Sequence, residues 1–294
     1  MGFLLTLKHF VINLRPYSWA DIVLLGFLAK FSTEESLSFA VSDLMAIAGL
    51  LCLWFFFNII LEAKHDYEYR ARMKNSHAIP FLLAAIILGI ANQLSIAFAI
   101  TSVIFCVFYL NKKPYPIFGL LSPLTRGAIQ ASYFFYALSF FTSGVFSAKY
   151  IILGVVIFLV YAARAIVGDI RDSKHDLIAR KITIPVKFGI KTAIAVSIFL
   201  IGIAAIILAI NFHSALVALS LILFAAALLF YENGYVLHQL SVFKTSLLHV
   251  SLISLFTGQN MLFISLICAG VYLNMVFYPM LERKSNPEFS YDKT

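Results

Sequence analysis

Two short stretches of this sequence hold carboxylates at helical spacing. The first runs Asn58-Ile-Ile-Leu-Glu62-Ala-Lys-His-Asp66, the second Asp169-Ile-Arg-Asp172-Ser-Lys-His-Asp176. A helix turns about 100° per residue, so positions i, i+4 and i+8, or i, i+3 and i+7, stay on one face. Asn58, Glu62 and Asp66 then share one face, and Asp169, Asp172 and Asp176 share another. Like charges at such spacing repel, and desolvation near a membrane adds to the cost. Bound cations relieve the repulsion. Oxygen-only donor sets without cysteine favour Mg²⁺ or Ca²⁺ over zinc, and Mg²⁺ typically takes one or two carboxylates plus substrate phosphates. Two carboxylate faces with Lys and Arg around them therefore suit a diphosphate bridged by metal ions, and Lys112 and Lys113 are positioned to join it. A single Asp at a helix end is usually a cap or a solvated residue, but two triplets together are poorly explained that way. His65, His77 and His175 lack the spacing of a zinc site and read as interfacial hydrogen-bonders.

The elements that must position these residues are apolar. Of 294 residues, 62% are hydrophobic and 12% charged, where a soluble domain carries roughly a quarter charged. Mean hydropathy is +0.93. A soluble enzyme, a disordered chain and a disulfide scaffold are excluded. A membrane helix needs roughly 20 apolar residues, so the chain supplies about nine. The expected fold is an all-α, polytopic membrane bundle in one domain, 1–294, with membrane lipids as its surroundings. The net charge of +8 does not indicate nucleic acid in so apolar a chain. Cys52, Cys106 and Cys268 lie inside apolar runs and read as small core residues. The first 16 residues show no small-residue cleavage site, so no cleavable signal peptide is expected.

The apolar runs are 17–33, 39–61, 79–93, 95–111, 118–142, 149–168, 185–210, 214–232 and 259–281. Segment 233–257 alternates polar and apolar residues and is expected to lie at the interface. The tail from Glu282 to Thr294 is expected to fray. With the N-terminus inside and nine spans, 17 of the 22 Lys and Arg residues fall on the inner side, Arg126 and Arg164 among them, as the positive-inside rule requires. This places the N-terminus and both acidic motifs on the cytoplasmic side of the cell membrane. The segments 62–77 and 164–191 together hold 17 of the 36 charged residues. Topology explains basic loops but gives no reason for the six acids there. The middles of the spans read as almost free of ionisable groups. A transporter or ion carrier, the main alternative class, would carry its charged site near the midplane; here the acids stand at span ends, which favours interfacial chemistry.

At this level the residues resemble a known family. Asn58-x-x-x-Glu62-x-x-x-Asp66 closing the second span resembles the NDxxDxxxD motif of the UbiA superfamily of intramembrane prenyltransferases. Asp172-x-x-x-Asp176 followed by Thr183-Ile-Pro-Val186 and Phe188-Gly189 resembles its second motif. Arg15-Pro16 resembles the early RP pair, and Tyr109 with Lys113 resembles its Y…K element. Ile59 and Glu62 stand where the family usually has Asp, and His175 and Arg180 replace glycines, so the first motif is degraded and the second nearly intact. The resemblance implies Mg²⁺-dependent transfer of a prenyl group from a polyprenyl diphosphate to a lipophilic acceptor. It implies Glu62, Asp66, Asp172 and Asp176 as metal ligands. Arg15, Asn58 and Lys113 would bind diphosphate, Tyr109 would flank the allylic carbon, and Asp169 would be an extra carboxylate toward the acceptor. The run from Arg164 to Asp172 looks most like members that build isoprenoid glycerol ethers, with a quinone-type aromatic acceptor as the other option. A catalytically silent relative is a third reading.

Overall fold

The computed structural model describes residues 14–34, 38–64, 74–111, 115–142, 146–213, 215–229, 233–258 and Gly270. The expected span 259–281 and the tail therefore lie outside the described residues, apart from Gly270. Eleven helices are described: α1 (Trp19–Thr33), α2 (Val41–Lys64), α3 (Ile79–Leu88), α4 (Gln93–Leu110), α5 (Pro116–Leu138), α6 (Ala148–Arg171), the short α7 (Ser173–Ile178) and α8 (Ile184–Phe188), α9 (Ile190–Phe212), α10 (Ala215–Ala227) and α11 (Gly234–Thr257). Among them, five are long and apolar enough to cross a membrane. The chain is a multi-pass membrane protein.

Local chemistry sets the helix boundaries. Pro80, Pro116 and Pro185 occupy the first turns of α3, α5 and α8, where a missing N–H costs nothing. Asn92 separates α3 from α4 and accepts a hydrogen bond from the Leu94 N–H at 2.9 Å. This is the break expected within 79–111.

The described helices form one bundle. α2 packs between α1 and α3, α4 on α5, α5 on α6, α6 on α9, α9 on α10, α11 against α1 and α6, and α1 also packs on α5. Close approach depends on small residues, as is usual where lipid removes the hydrophobic drive for helix association. A Cβ on Gly127 would stand 2.4 Å from the Phe158 carbonyl oxygen of α6, and one on Gly154 would stand 2.4 Å from the Phe135 ring of α5. Tyrosine hydroxyls on α5 tie in the neighbours. Tyr133 donates to the Leu53 carbonyl of α2 at 2.9 Å, and Tyr136 to the Ala85 carbonyl of α3 at 2.8 Å.

Segment 233–257 is the main departure from expectation. It is the helix α11, and it traverses the bundle. Its first residue, Gly234, lies against the Arg171 backbone at the end of α6. Near its other end, Phe256 meets the Phe212 ring at the end of α9 and the Lys149 ammonium at the start of α6. Of the polar residues that suggested an interfacial helix, His238 and His249 are buried while Gln239 and Lys244 are half-buried, and Ser241, Thr245 and Ser246 of the same helix are buried as well.

Their partners are buried charges, with Asp21 in the first turn of α1. The Asp21 carboxylate of α1 accepts from Tyr161 at 2.6 Å and from the Arg164 guanidinium, both on α6. Arg164 also donates to Thr245 of α11 at 2.9 Å, and the Ser246 hydroxyl lies 3.4 Å from Asp21. The His249 ring stacks on Tyr161, with Nδ1 3.4 Å from Asp21. This cluster locks α1, α6 and α11 together. At the opposite end of α1, Lys30 pairs with Asp43 of α2, and both are buried. Arg164 is enclosed by the bundle.

Candidate functional site

The second motif straddles a helix break at one end of the bundle. α6 stops at Arg171, Asp172 (φ −90°, ψ 4°) leaves the helical range, and α7 begins at Ser173. The Asp172 carboxylate takes a two-point ion pair from the adjacent Arg171, with both N···O distances 2.7 Å. Arg171 also lies 3.1 Å from His238 Nδ1 of α11. One turn on, Asp176 is buried, and its Oδ1 stands 3.4 Å from the buried Lys181 ammonium. Thr183, which opens the Thr-Ile-Pro-Val run, is wholly buried, and its hydroxyl has no hydrogen-bond partner.

Asp169 takes a different place from the other two carboxylates. It is buried and faces α5, where the Ser122 hydroxyl lies 3.3 Å from Oδ2. Pro123 explains why Ser122 stands there. Proline has no N–H for the Gly119 carbonyl, and the Ser122 hydroxyl donates to that carbonyl instead at 2.9 Å. Such rescue of a freed carbonyl by Ser is a common device in membrane helices.

On α2, Asn58 is completely buried. Its Nδ2 donates to the Trp54 carbonyl at 2.8 Å, leaving Oδ1 with no hydrogen-bond partner. Glu62 follows one turn later, but its side chain is not described, and Asp66 and Lys113 lie outside the described residues. Tyr109, at the end of α4, is half-buried with its ring 5.6 Å from Phe57. Arg15 adopts the left-handed conformation (φ 55°, ψ 63°) ahead of Pro16, a strain of about 1–3 kcal/mol that tends to mark functional positions.

The structure thus gathers Arg15, Asp169, Asp172, Asp176 and Arg171 toward one end, with Asn58 and Tyr109 near it. Among the described residues, no three His, Cys, Asp or Glu side chains lie close enough to hold a metal by themselves. The donors present are carboxylates and one orphaned amide oxygen. That set fits Mg²⁺ sharing its coordination sphere with phosphate oxygens and waters, with Asp172, Asp176 and Asn58 as the described members.

Two residues escaped the sequence reading as site members. Arg126 of α5 packs its guanidinium over the rings of Phe57 (4.4 Å) and Trp54 (4.9 Å). Gln130, one turn on, is wholly buried, and neither amide atom has a hydrogen-bond partner. Arg126 lies within electrostatic range of Tyr109, Tyr133, Arg164 and Arg15, and His238 within range of Arg171, Arg164, Arg15 and Arg126. Four guanidiniums therefore converge on this half of the bundle. Arg164 pairs with Asp21 and Arg171 with Asp172. The available signal was an arginine four residues before a glutamine in an otherwise apolar run, and an ionisable residue in a span is by default a sign of function.

No protein-family model matches the sequence, and no curated protein is detectably similar to it. The fold does have relatives of known structure. A UbiA homolog from Archaeoglobus fulgidus, solved with DMAPP and Mg²⁺ and also with GPP and Mg²⁺, superposes with a TM-score of 0.64 over 85% of this chain and 98% of its own, at 16% identity. A structure of digeranylgeranylglyceryl phosphate synthase gives a TM-score of 0.59 over 90% of this chain and 99% of its own, at 16% identity. A UbiA homolog from Aeropyrum pernix K1 gives a TM-score of 0.54 over 91% of this chain and 98% of its own, at 14% identity. The helical bundle is of UbiA type over most of its length.

Proposed function

We propose that this protein transfers a prenyl group from an allylic prenyl diphosphate to a lipophilic acceptor in a Mg²⁺-dependent reaction. One observation carries the proposal: a bundle of UbiA type has the two aspartates of a DxxxD motif at one end, with Arg171 and Arg15 beside them. The acceptors that suit it are a glycerol-phosphate ether lipid, in line with the synthase whose fold it shares, or a quinone-type aromatic.

Asp172 and Asp176, with Asn58, Glu62 and Asp66, would hold the metal ions. Mg²⁺ in such a site offsets the charge that builds on a departing diphosphate. The chain's own groups supply the rest. Arg15 and Lys113 donate to the diphosphate oxygens. In the structure Arg171 and Lys181 shield the second-motif carboxylates, limiting their repulsion when no substrate is bound. Tyr109 presents an aromatic face toward the carbon that becomes cationic, an attraction of cation–π type. Asp169, one layer deeper, orients the acceptor or takes its proton. The apolar bundle of helices excludes water that would quench the carbocation.

The interior charges favour this reading over an ion carrier. Asp21 is already bound by Arg164 and Tyr161 and serves as a lock between helices.

The test is diphosphate release by the purified protein, supplied with Mg²⁺, labelled farnesyl or geranylgeranyl diphosphate and a panel of acceptors. Release abolished by EDTA and reduced at least 100-fold in Asp172→Asn and Asp176→Asn is expected, the scale of losing a main transition-state contact. Full turnover in both variants would remove the metal-site assignment. Donor binding with no product from any acceptor would instead mark a catalytically silent relative.

A further inference from the structure

We propose that Arg126 and Gln130 form an anion site for the acceptor, so that the acceptor carries a single anionic headgroup, carboxylate or phosphate. The acceptor role rests on the prenyl-transfer reading; the anion site itself does not.

The buried residues of α5 include Gly119, Ser122, Pro123, Gly127, Gln130, Tyr133, Phe134 and Ala137, which share one face. At about 100° per residue, Arg126 falls in the middle of that face. The residue as a whole is half-buried. It makes no hydrogen bond or ion pair, and its Nη1 is buried without a partner. Its only close neighbours of interest are the rings of Trp54 and Phe57. Gln130, on the same face one turn away, is 0% exposed with both amide atoms unpartnered.

A permanently charged guanidinium and an unsatisfied amide one turn apart are costly in a membrane bundle unless something polar meets them. The natural counterpart is an anion that accepts from both. The donor diphosphate does not suit this position. Ser122 faces Asp169 across α5 and α6, and these helices are antiparallel. Asp172 lies three residues from Asp169 toward the motif end, and Arg126 four residues from Ser122 the other way. At 1.5 Å per residue, Arg126 and the second motif are about 10 Å apart along the bundle. Phe57, under the Arg126 guanidinium, also touches Tyr109. The anion site thus lies level with Phe57 and Tyr109, beside the proposed carbocation position and about 10 Å along the bundle from the second motif, where an acceptor would be anchored.

The chain has two tryptophans, and Trp54 lies directly under Arg126. In a Trp19→Phe background, Trp54 emission reports on the site. The probes are dodecyl phosphate and 4-hydroxybenzoate, each compared with a neutral counterpart, dodecanol and methyl 4-hydroxybenzoate. Saturable binding of one anionic probe is expected, with its neutral counterpart much weaker. Saturating Mg²⁺ and pyrophosphate should leave this binding in place. Which anion binds distinguishes a phosphate lipid from an aromatic acid. Arg126→Gln and Gln130→Leu should each weaken binding at least tenfold, as expected for a charged or buried hydrogen bond, and Arg126→Lys should retain part of it. Gln130→Leu guards against misfolding: removing an unpartnered amide should leave thermal stability unchanged or higher.

Equal binding of neutral probes, unchanged affinity in Arg126→Gln and Gln130→Leu, or full displacement by Mg²⁺–pyrophosphate would each overturn the proposal. Anion binding without prenyl transfer would leave the site standing and remove its acceptor role. Diphosphate release without anion binding would do the reverse.

Discussion

Asp21 and Arg164 show what a buried charge does in this molecule. Each removes the cost of the other, and Tyr161, Ser246 and Thr245 satisfy the remaining valences. Removing one member leaves the other buried and uncompensated. Arg164→Met should lower stability by about 3–5 kcal/mol, and Asp21→Leu combined with Arg164→Met should recover most of the loss. Unfolding midpoints in detergent would check this, and equal losses in the single and double variants would show that the pair is not the lock. Asn58 makes the opposite case. Its one hydrogen bond is to its own helix and its oxygen is orphaned, so Asn58→Leu should change stability by no more than about 1 kcal/mol. The same variant should cut Mg²⁺-dependent diphosphate release at least tenfold. Unchanged release would take Asn58 out of the site.

At the scale of elements, α5 is the organising helix. It carries Ser122, Arg126, Gln130 and the two anchoring tyrosines, and its course depends on a proline and a glycine. Ser122→Ala would strand the Gly119 carbonyl freed by Pro123, at a cost of about 1–3 kcal/mol. Adding Pro123→Ala restores the missing N–H and should reverse the loss, measured again by unfolding midpoint; no reversal would mean that Ser122 acts only through Asp169. Gly127 faces backbone, not a movable side chain. Gly127→Ala should therefore force α5 and α6 apart and destabilise the bundle by about 1–3 kcal/mol, with failure to purify as folded protein the extreme outcome. The second motif was legible because both aspartates and the Thr-Ile-Pro-Val run sit within 15 residues of one segment, 172–186. The expectation that Asp169, Asp172 and Asp176 act as one face was less complete. The helix breaks at Asp172, so Asp169 turns to Ser122 while Asp176 turns to Lys181.

The described helices form one bundle, in which α11 joins α1 to α6. In a background lacking the three native cysteines, Lys174→Cys and Asn233→Cys should react with an impermeant maleimide from one side of the membrane. Ser147→Cys and Thr257→Cys should react from the other. Labelling of positions 233 and 257 from the same side would mean that α11 does not cross. On intact cells, the expected cytoplasmic placement of the motifs means that only positions 147 and 257 are labelled. On the proposed function, the Lys and Arg residues around the second motif would also supply a field that draws in an anionic donor.

By itself, the sequence determined the membrane class, the all-helical bundle and the DxxxD motif. All three rest on local quantities: apolar content, run length and spacing along one helix. The tertiary structure alone decided the course of α11 and the place of Arg126. An amphipathic segment reads the same whether its polar face meets water or a buried ion pair. The residues that settle the matter are remote, since Ser246 reaches Asp21 across 225 positions. Arg126 likewise reads as a topological charge until the fold turns it toward Trp54 and Phe57, because packing belongs to the bundle and not to the run that carries the residue.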